Sequence, residues 1–361
     1  MTTHFTPAWW LRGPNLQTLW GKFLRRTEQI ETRVERLSTP DGDFLDLHQL
    51  EGRPGAPLLV LLHGLEGSIR SHYINGLLAE ASRRQWHAAV LVFRSCGSEL
   101  NLTRRFYHSG ETTDLAFALE HLAASFKDTP IVLAGVSLGG NVLLKYLGEQ
   151  GDRISPRIRA AVAVSVPYDL GRAADHIDRG FAKVYQRSFI NSLKAKSLAK
   201  LDAFPGLALR NDIQAIRTIR DFDNMITAPI HGFENADDYY GRSSSLGWID
   251  RVHVPTLLLS AVDDPFLPPQ VLEQVRSVAK ENPFLQVEFS ETGGHVGFVG
   301  GKNPFRPDYY MERRVGDFLA HQLTPQSRLF KTEEGIDEER TIALACRCDL
   351  GSCRMHNCRN E

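Results

Sequence analysis

The stretch Ile131-Val132-Leu133-Ala134-Gly135-Val136-Ser137-Leu138-Gly139-Gly140 decides the fold of this chain. Its first four residues are apolar and predict a short buried strand, and a helix-prone segment follows the glycines. A Gly-x-Ser-x-Gly motif between a strand and a helix is typical of a nucleophile elbow, a strained turn that exposes the serine Oγ. Gly135 and Gly139 relieve the clashes that a Cβ would create beside this turn. We therefore predict that Ser137 is a nucleophile and not an ordinary turn serine.

Short apolar segments and helical segments alternate over most of the chain. The predicted strands are 34–37, 44–50, 58–62, 88–93, 131–134, 160–166, 256–260 and 285–289, and the predicted helices are 73–84, 112–126, 138–149, 270–280 and 308–321. Continuous apolar strands alternating with helices indicate a mostly parallel sheet that is covered by helices on both faces. Together with the predicted elbow, this order predicts an α/β-hydrolase fold.

The chain has 361 residues, of which 42% are hydrophobic, which is enough for one large domain with insertions. We predict an irregular aromatic N-terminal arm at 1–26, a hydrolase domain at 27–322 and a polar, cysteine-rich tail at 323–361. Between about 167 and 250 the alternation stops, and only helical patches are found, at 173–189 and 213–222. Insertions of this kind usually lie over the carboxyl edge of the sheet, where ligands bind, so this one is interpreted as a helical cap.

A serine nucleophile needs backbone donors directed at the oxyanion that develops on the substrate. The residue after the nucleophile, Leu138, supplies one such N–H group in this fold. The second comes from the loop after an earlier strand, here His63-Gly64-Leu65-Glu66-Gly67-Ser68, and we assign it to Leu65. A generic glycine-rich turn is the alternative interpretation of this loop.

The acid and the base of the predicted triad follow the serine in the order that this fold requires. Asp263 and Asp264 both follow the strand at 256–260, and Asp264 is preferred because it precedes Pro268 by four positions. His295 follows the last strand in a glycine-rich loop and is the predicted general base. His63 is the weaker alternative, because a role in holding its own loop is favoured.

Composition and charge exclude several kinds of partner. The net charge of -1 gives no electrostatic footprint for nucleic acid or for an anionic membrane. We find no signal peptide and no apolar run long enough to span a bilayer, so we expect a cytoplasmic protein. Serine catalysis needs neither a metal nor a cofactor, so none is predicted, and the oligomeric state is left open.

The tail contains Cys346, Cys348, Cys353, His356 and Cys358. These side chains are enough to bind one zinc ion, but their spacing matches no zinc pattern. A disordered or redox-sensitive tail is favoured over a metal site.

Several motifs match one family. They are Pro7-Ala8-Trp9-Trp10-Leu11, Asn15-Leu16-Gln17-Thr18, the loop at 63–68, Tyr107-His108-Ser109-Gly110-Glu111-Thr112, the elbow at 135–140, Asp263-Asp264-Pro265-Phe266 and Gly293-Gly294-His295-Val296-Gly297-Phe298. The sequence resembles the YheT-like branch of the α/β hydrolases, which is related to abhydrolase-domain esterases and yeast ethanol acyltransferases. The match departs from the family pattern at Asn15 and at residues 94–99.

The resemblance implies a carboxylesterase or an alcohol acyltransferase that acts on short- or medium-chain acyl esters. It also implies a triad of Ser137, one of the two aspartates and His295. We expect a serine carboxylesterase with a small-molecule ester substrate. Acyl transfer to an alcohol is the first alternative, and a non-catalytic binding protein on the same scaffold is the second.

Overall fold

The computed structural model of the protein describes residues 4–25 and 29–324. The tail cysteines and the metal site considered for them lie outside these residues. The central sheet is formed by β1 (Arg33–Ser38), β2 (Phe44–Leu50), β3 (Leu58–Leu62), β4 (His87–Val92), β5 (Ile131–Val136), β6 (Ile158–Val164), β7 (Thr256–Ala261) and β8 (Leu285–Ser290). Its strand order is β1-β2-β4-β3-β5-β6-β7-β8. β2 pairs antiparallel with both β1 and β4, and all other neighbours are parallel.

Helices cover both faces of this sheet, and further α-helices form the N-terminal segment and the insertion between β6 and β7. They are α1 (Pro14–Phe23), α2 (His72–Arg83), α3 (Thr113–Ser125), α4 (Leu138–Gln150), α5 (Leu170–Ile177), α6 (Lys183–Leu201), α7 (Arg210–Ala215), α8 (Ile219–Phe222), α9 (Ala228–His231), α10 (Ala236–Ser243), α11 (Pro269–Glu281) and α12 (Tyr310–Leu323). Along β3, Leu58, Val60 and Leu62 pack in a core with α3, α4 and α11. Leu59 and Leu61 face the opposite core, with α2 and α12. Every residue of β3 is buried, which explains why its sequence is apolar throughout. The mostly parallel sheet with helices on both faces confirms the predicted fold class.

Helices α5 to α10 and a π-helical segment, Asp223–Thr227, lie between β6 and β7. The predicted helical patch at 173–189 is divided between α5 and α6, and Gly180 between them has a φ of 51°. The patch at 213–222 also divides, because Ile216 leaves the helical conformation and Thr218 caps α8. Within this insertion, Ile190, Ile213 and Ile226 belong to a separate apolar cluster.

The N-terminal segment contains a helix where an irregular arm is predicted. Helix α1 begins directly after Gly13, whose φ is 91°, and Pro14 occupies its first turn. Proline suits this position because its missing N–H would have no partner within the helix. The prediction was wrong although Leu16, Leu19 and Phe23 follow helical spacing, because only ten residues form α1 and the side it buries carries Gln17 and Gly21, while Leu16 and Phe23 stay exposed. Among the described residues, no helix is long and apolar enough to cross a membrane.

Candidate active site

Ser137 lies at the junction of β5 and α4, with φ 54° and ψ -120°. This conformation is strained for a residue with a side chain and persists only where the surroundings hold it. The serine N–H donates to the carbonyl of Val164 at 2.8 Å. A Cβ on Gly135 would lie 2.4 Å from the carbonyl oxygen of Gly139, and a Cβ on Gly139 would lie 2.5 Å from that of His63. Glycine at both positions therefore allows the sharp turn between strand and helix.

Ser137, His295 and Asp264 form a continuous row of hydrogen bonds. The distance from His295 Nε2 to Ser137 Oγ is 3.0 Å, and that from His295 Nδ1 to Asp264 Oδ2 is 2.8 Å. Asp264 Oδ1 also accepts a bond from the N–H of Phe266 at 2.8 Å. An ionised carboxylate only accepts hydrogen bonds, so Nδ1 carries the proton and Nε2 is free to accept the serine proton. The Asp264 side chain is 0% exposed and that of His295 is 9% exposed, so bulk water screens the row only weakly.

Asp263 has a different position from its neighbour. Its Oδ1 accepts a hydrogen bond from the N–H of Gly294 at 2.9 Å. Partial burial and the adjacent Asp264 carboxylate raise its pKa, while the bond from Gly294 opposes this change. Asp263 therefore holds the backbone of the loop that carries His295, whereas Asp264 contacts the imidazole ring itself.

The loop after β3 is fixed on both sides of Leu65. The N–H of Gly64 donates to the Tyr73 hydroxyl at 2.9 Å, and that of Glu66 donates to the Tyr107 hydroxyl at 2.8 Å. Within the described part of the chain, the N–H groups of Leu65 and Leu138 have no protein acceptor. Both residues line the cavity that contains Ser137. The structure thus places both residues predicted to supply oxyanion donors at the cavity of Ser137, and their N–H groups are not bonded within the protein.

His63 is separated from this row of hydrogen bonds. Its Nδ1 bonds to the carbonyl of Gly64 at 2.8 Å, and its Nε2 accepts from the N–H of Phe93 at 3.1 Å. The side chain is fully buried, and this burial lowers the pKa of His63 to about 4. A neutral imidazole with both nitrogens occupied supports the loop and has no free nitrogen for base catalysis.

Helix α1 contacts the loop that carries His295, a role that the sequence did not reveal. Thr18 Oγ1 accepts from the N–H of His295 at 2.9 Å and donates to the carbonyl of Pro14 at 2.8 Å. The Gln17 side chain, 1% exposed, accepts from the N–H of Val299 at 2.7 Å and donates to its carbonyl at 3.0 Å. Two polar side chains adjacent in sequence therefore bind the backbone of one segment, residues 295–299, and no periodic pattern could have indicated this.

Two pockets meet at Ser137 and His295. The inner pocket lies under the insertion and is largely apolar, with Leu170, Ala173, Ala174, Ile177, Phe189, Leu193, Ile219 and Phe222 in its wall. The outer pocket opens between α1, the loop after β3 and α6, with Thr18, Lys22, Gly64, Ser68, Arg70, Ser71, Val184 and Ser188 in its wall. The Phe266 ring stacks on the His295 imidazole at 4.1 Å and lines both pockets. No group of metal-binding side chains occurs among the described residues.

Comparisons with known proteins agree with this fold. A family model described as the alpha/beta hydrolase fold matches residues 57–302. YheT of Escherichia coli (strain K12), named as a candidate esterase, is 39% identical over 90% of this chain and 96% of its own. A monoacylglycerol lipase of Saccharomyces cerevisiae (strain ATCC 204508 / S288c) is 30% identical over 69% of this chain and 56% of its own. An esterase structure from Pyrococcus furiosus, 17% identical, has a TM-score of 0.54 over 81% of this chain and 91% of its own.

Proposed function

Since the chain belongs to the α/β-hydrolase family, in the branch that includes YheT, we propose that it is a serine carboxylesterase acting on short- to medium-chain acyl esters. The observation that carries this proposal is the row of hydrogen bonds from Ser137 through His295 to the buried carboxylate of Asp264. The esterase and lipase names of the two relatives also support ester chemistry.

The proposed reaction proceeds through an acyl-serine intermediate. Ser137 Oγ attacks the ester carbonyl while His295 Nε2 takes its proton, and Asp264 stabilises the imidazolium. The N–H groups of Leu65 and Leu138 donate to the oxyanion. The tetrahedral intermediate then expels the alkoxide, which leaves as the alcohol with the proton from His295. Water attacks the acyl-serine by the same route, releases the carboxylic acid and restores Ser137.

We assign the acyl chain to the inner pocket and the alcohol to the outer one. The wall of the inner pocket is mostly aliphatic and aromatic, which favours burial of a hydrocarbon chain. The outer pocket also has apolar walls, such as Leu19 and Phe189, but the hydroxyls of Ser68, Ser71 and Ser188 give it groups that can bond a polar leaving group. An alcohol that enters the outer pocket could also take the acyl group from Ser137, so acyl transfer is the alternative outcome.

The test is hydrolysis of a p-nitrophenyl ester series from acetate to decanoate by the wild type and by Ser137→Ala. Ser277→Ala is the matched control, because it removes an exposed hydroxyl on α11 that bonds the Glu273 carbonyl and lines neither pocket. We expect Ser137→Ala alone to lose turnover and labelling by a fluorophosphonate. Added ethanol would reveal transfer as an ethyl ester product. If the wild type neither turns over any ester nor is labelled at Ser137, the chain is a binding protein on this scaffold.

A further inference from the structure

Helix α6 of the insertion presents three polar side chains, Ser192, Lys196 and Lys200, at intervals of four residues. Side chains with this spacing lie on one face of a helix. Lys200 is 1% exposed, and its Nζ donates to the carbonyls of Thr103 at 2.6 Å and Arg105 at 2.8 Å. Ser192 and Lys196 instead contact the loop after β3. The same face of α6 therefore binds two separate loops of the hydrolase domain.

On that loop the contact is Glu66, the residue after Leu65. Its carboxylate, 7% exposed, accepts hydrogen bonds from Lys196 Nζ at 2.7 Å, from the Tyr107 hydroxyl at 2.8 Å and from the Ser192 hydroxyl. The backbone of Glu66 has a φ of 54°, a strained conformation for a residue with a side chain. The side chain thus holds a backbone geometry that the residue does not favour by itself.

The side chain of Glu66 also fixes the backbone next to Leu65, whose N–H is the predicted oxyanion donor. The Tyr107 hydroxyl both accepts from the N–H of Glu66 and donates to its carboxylate. The peptide between Leu65 and Glu66 is therefore attached to α6 through the side chain of Glu66 itself. On the other side of Leu65, the N–H of Gly64 is held by Tyr73, which belongs to α2 and not to the insertion.

We propose that Glu66 is a positioning residue that couples docking of helix α6 to the orientation of the Leu65 N–H. This inference rests on the proposed function, since it assumes that this N–H stabilises an oxyanion. With α6 docked, Lys196 and Ser192 fix the Glu66 carboxylate, and the strained turn keeps the Leu65 N–H directed at the reacting carbonyl. Without them the buried carboxylate keeps only the Tyr107 hydroxyl as a partner, the turn relaxes, and the oxyanion loses one donor.

The variants are Glu66→Gln, Lys196→Met and Ser192→Ala, in the full chain. The control is Lys194→Met on the same helix, because Lys194 Nζ bonds to the carbonyls of Gln214 and Ile216 and not to the loop after β3. Each is assayed for kcat and KM with a p-nitrophenyl ester of short acyl chain. Binding of an alkyl boronic acid, which forms a tetrahedral adduct with a nucleophilic serine, is compared with binding of the product carboxylate.

We expect Glu66→Gln and Lys196→Met to lower kcat by about 100-fold with KM nearly unchanged, as misplacement of a catalytic donor does. Boronate affinity should fall with kcat, carboxylate affinity should not, and Lys196→Arg should restore most of the activity. A loss of thermal stability with unchanged kcat, or a rise in KM alone, would overturn the coupling. A wild type without turnover or fluorophosphonate labelling would instead overturn the proposed function.

Discussion

The backbone N–H of His295 donates a 2.9 Å hydrogen bond to the hydroxyl of Thr18, which lies 277 positions earlier in the chain. The same hydroxyl donates to the carbonyl of Pro14, so its orientation is fixed within α1. The loop that carries His295 has an unusual backbone. Gly294 and Val296, on either side of His295, have φ values of 61° and 58°. The N-terminal helix thus holds the backbone of the residue proposed as the general base.

Replacement of Thr18 by valine should impair catalysis more than binding. Valine has nearly the shape of threonine but leaves the N–H of His295 without its acceptor, which costs about 1–3 kcal/mol where the group is buried. We expect kcat to fall by about ten-fold, equivalent to about 1.4 kcal/mol, with little change in KM. Thr18→Ser keeps the hydroxyl and is the control. Equal kcat values for the two variants would show that the bond does not position His295.

The sheet was predictable because β3 to β7 are almost entirely buried on both faces and therefore contain continuous apolar runs. The elbow was also accessible, since Gly135 and Gly139 mark the turn around Ser137 in the sequence. The contact made by Thr18 was not, because a hydroxyl that bonds a distant backbone leaves no local pattern. The division of the predicted cap helices was missed for a related reason, since Gly180 and Ile216 interrupt segments whose apolar spacing continues across them.

The paired aspartates show where sequence reasoning stops. Both follow the same strand, and the spacing to Pro268 gave only a preference for Asp264. Their contacts differ clearly: Asp264 bonds the His295 ring, whereas Asp263 bonds the N–H of Gly294. We expect Asp264→Asn to lower kcat by about 10⁴-fold, because an amide no longer fixes the imidazole in the required tautomer. Asp263→Asn should lose far less activity, since an amide oxygen can still accept from Gly294. Kinetics of the two variants decide the assignment, and the opposite ranking would reverse it.

Substitution in the inner pocket should change the preferred acyl length. Ala173 on α5 lines that pocket, whereas Arg172 beside it has a side chain that is 51% exposed. Ala173→Phe should lower kcat/KM for the decanoate ester by about ten-fold relative to acetate, because the larger ring displaces part of a long chain. Arg172→Phe adds the same ring on the outside and should leave the ratio unchanged. A parallel loss with all esters in Ala173→Phe would indicate that the acyl chain lies elsewhere.

The stability of the protein should depend on pH through its buried histidines. Burial, reinforced by the neighbouring His108, lowers the pKa of His231 to about 3, well below the ordinary value of 6.5. Between these values the unfolded chain binds a proton at this position and the folded chain does not. Stability contributed by the neutral imidazole is therefore complete above pH 6.5 and is lost as the pH falls. Burial raises the pKa of Asp223 to about 6, so this carboxyl group makes the stability fall as the pH rises. Because the two effects oppose each other, the contribution of His231 is measured by comparing variants.

His231→Phe keeps a ring against His108, which lies 4.5 Å from the native imidazole, but removes the titration. In the wild type, the unfolded chain binds a proton at His231 that the folded chain does not bind. Without this proton, the slope of unfolding free energy against pH should fall by up to about 1.4 kcal/mol per pH unit between pH 6 and 4.5. The measurement is urea unfolding by circular dichroism at several pH values. Phe233→Leu alters a neighbouring ring of the same cluster without removing a titratable group, so it should change the level of stability and not the slope. An unchanged slope in His231→Phe would mean that His231 takes up a proton in the folded protein as readily as in the unfolded chain.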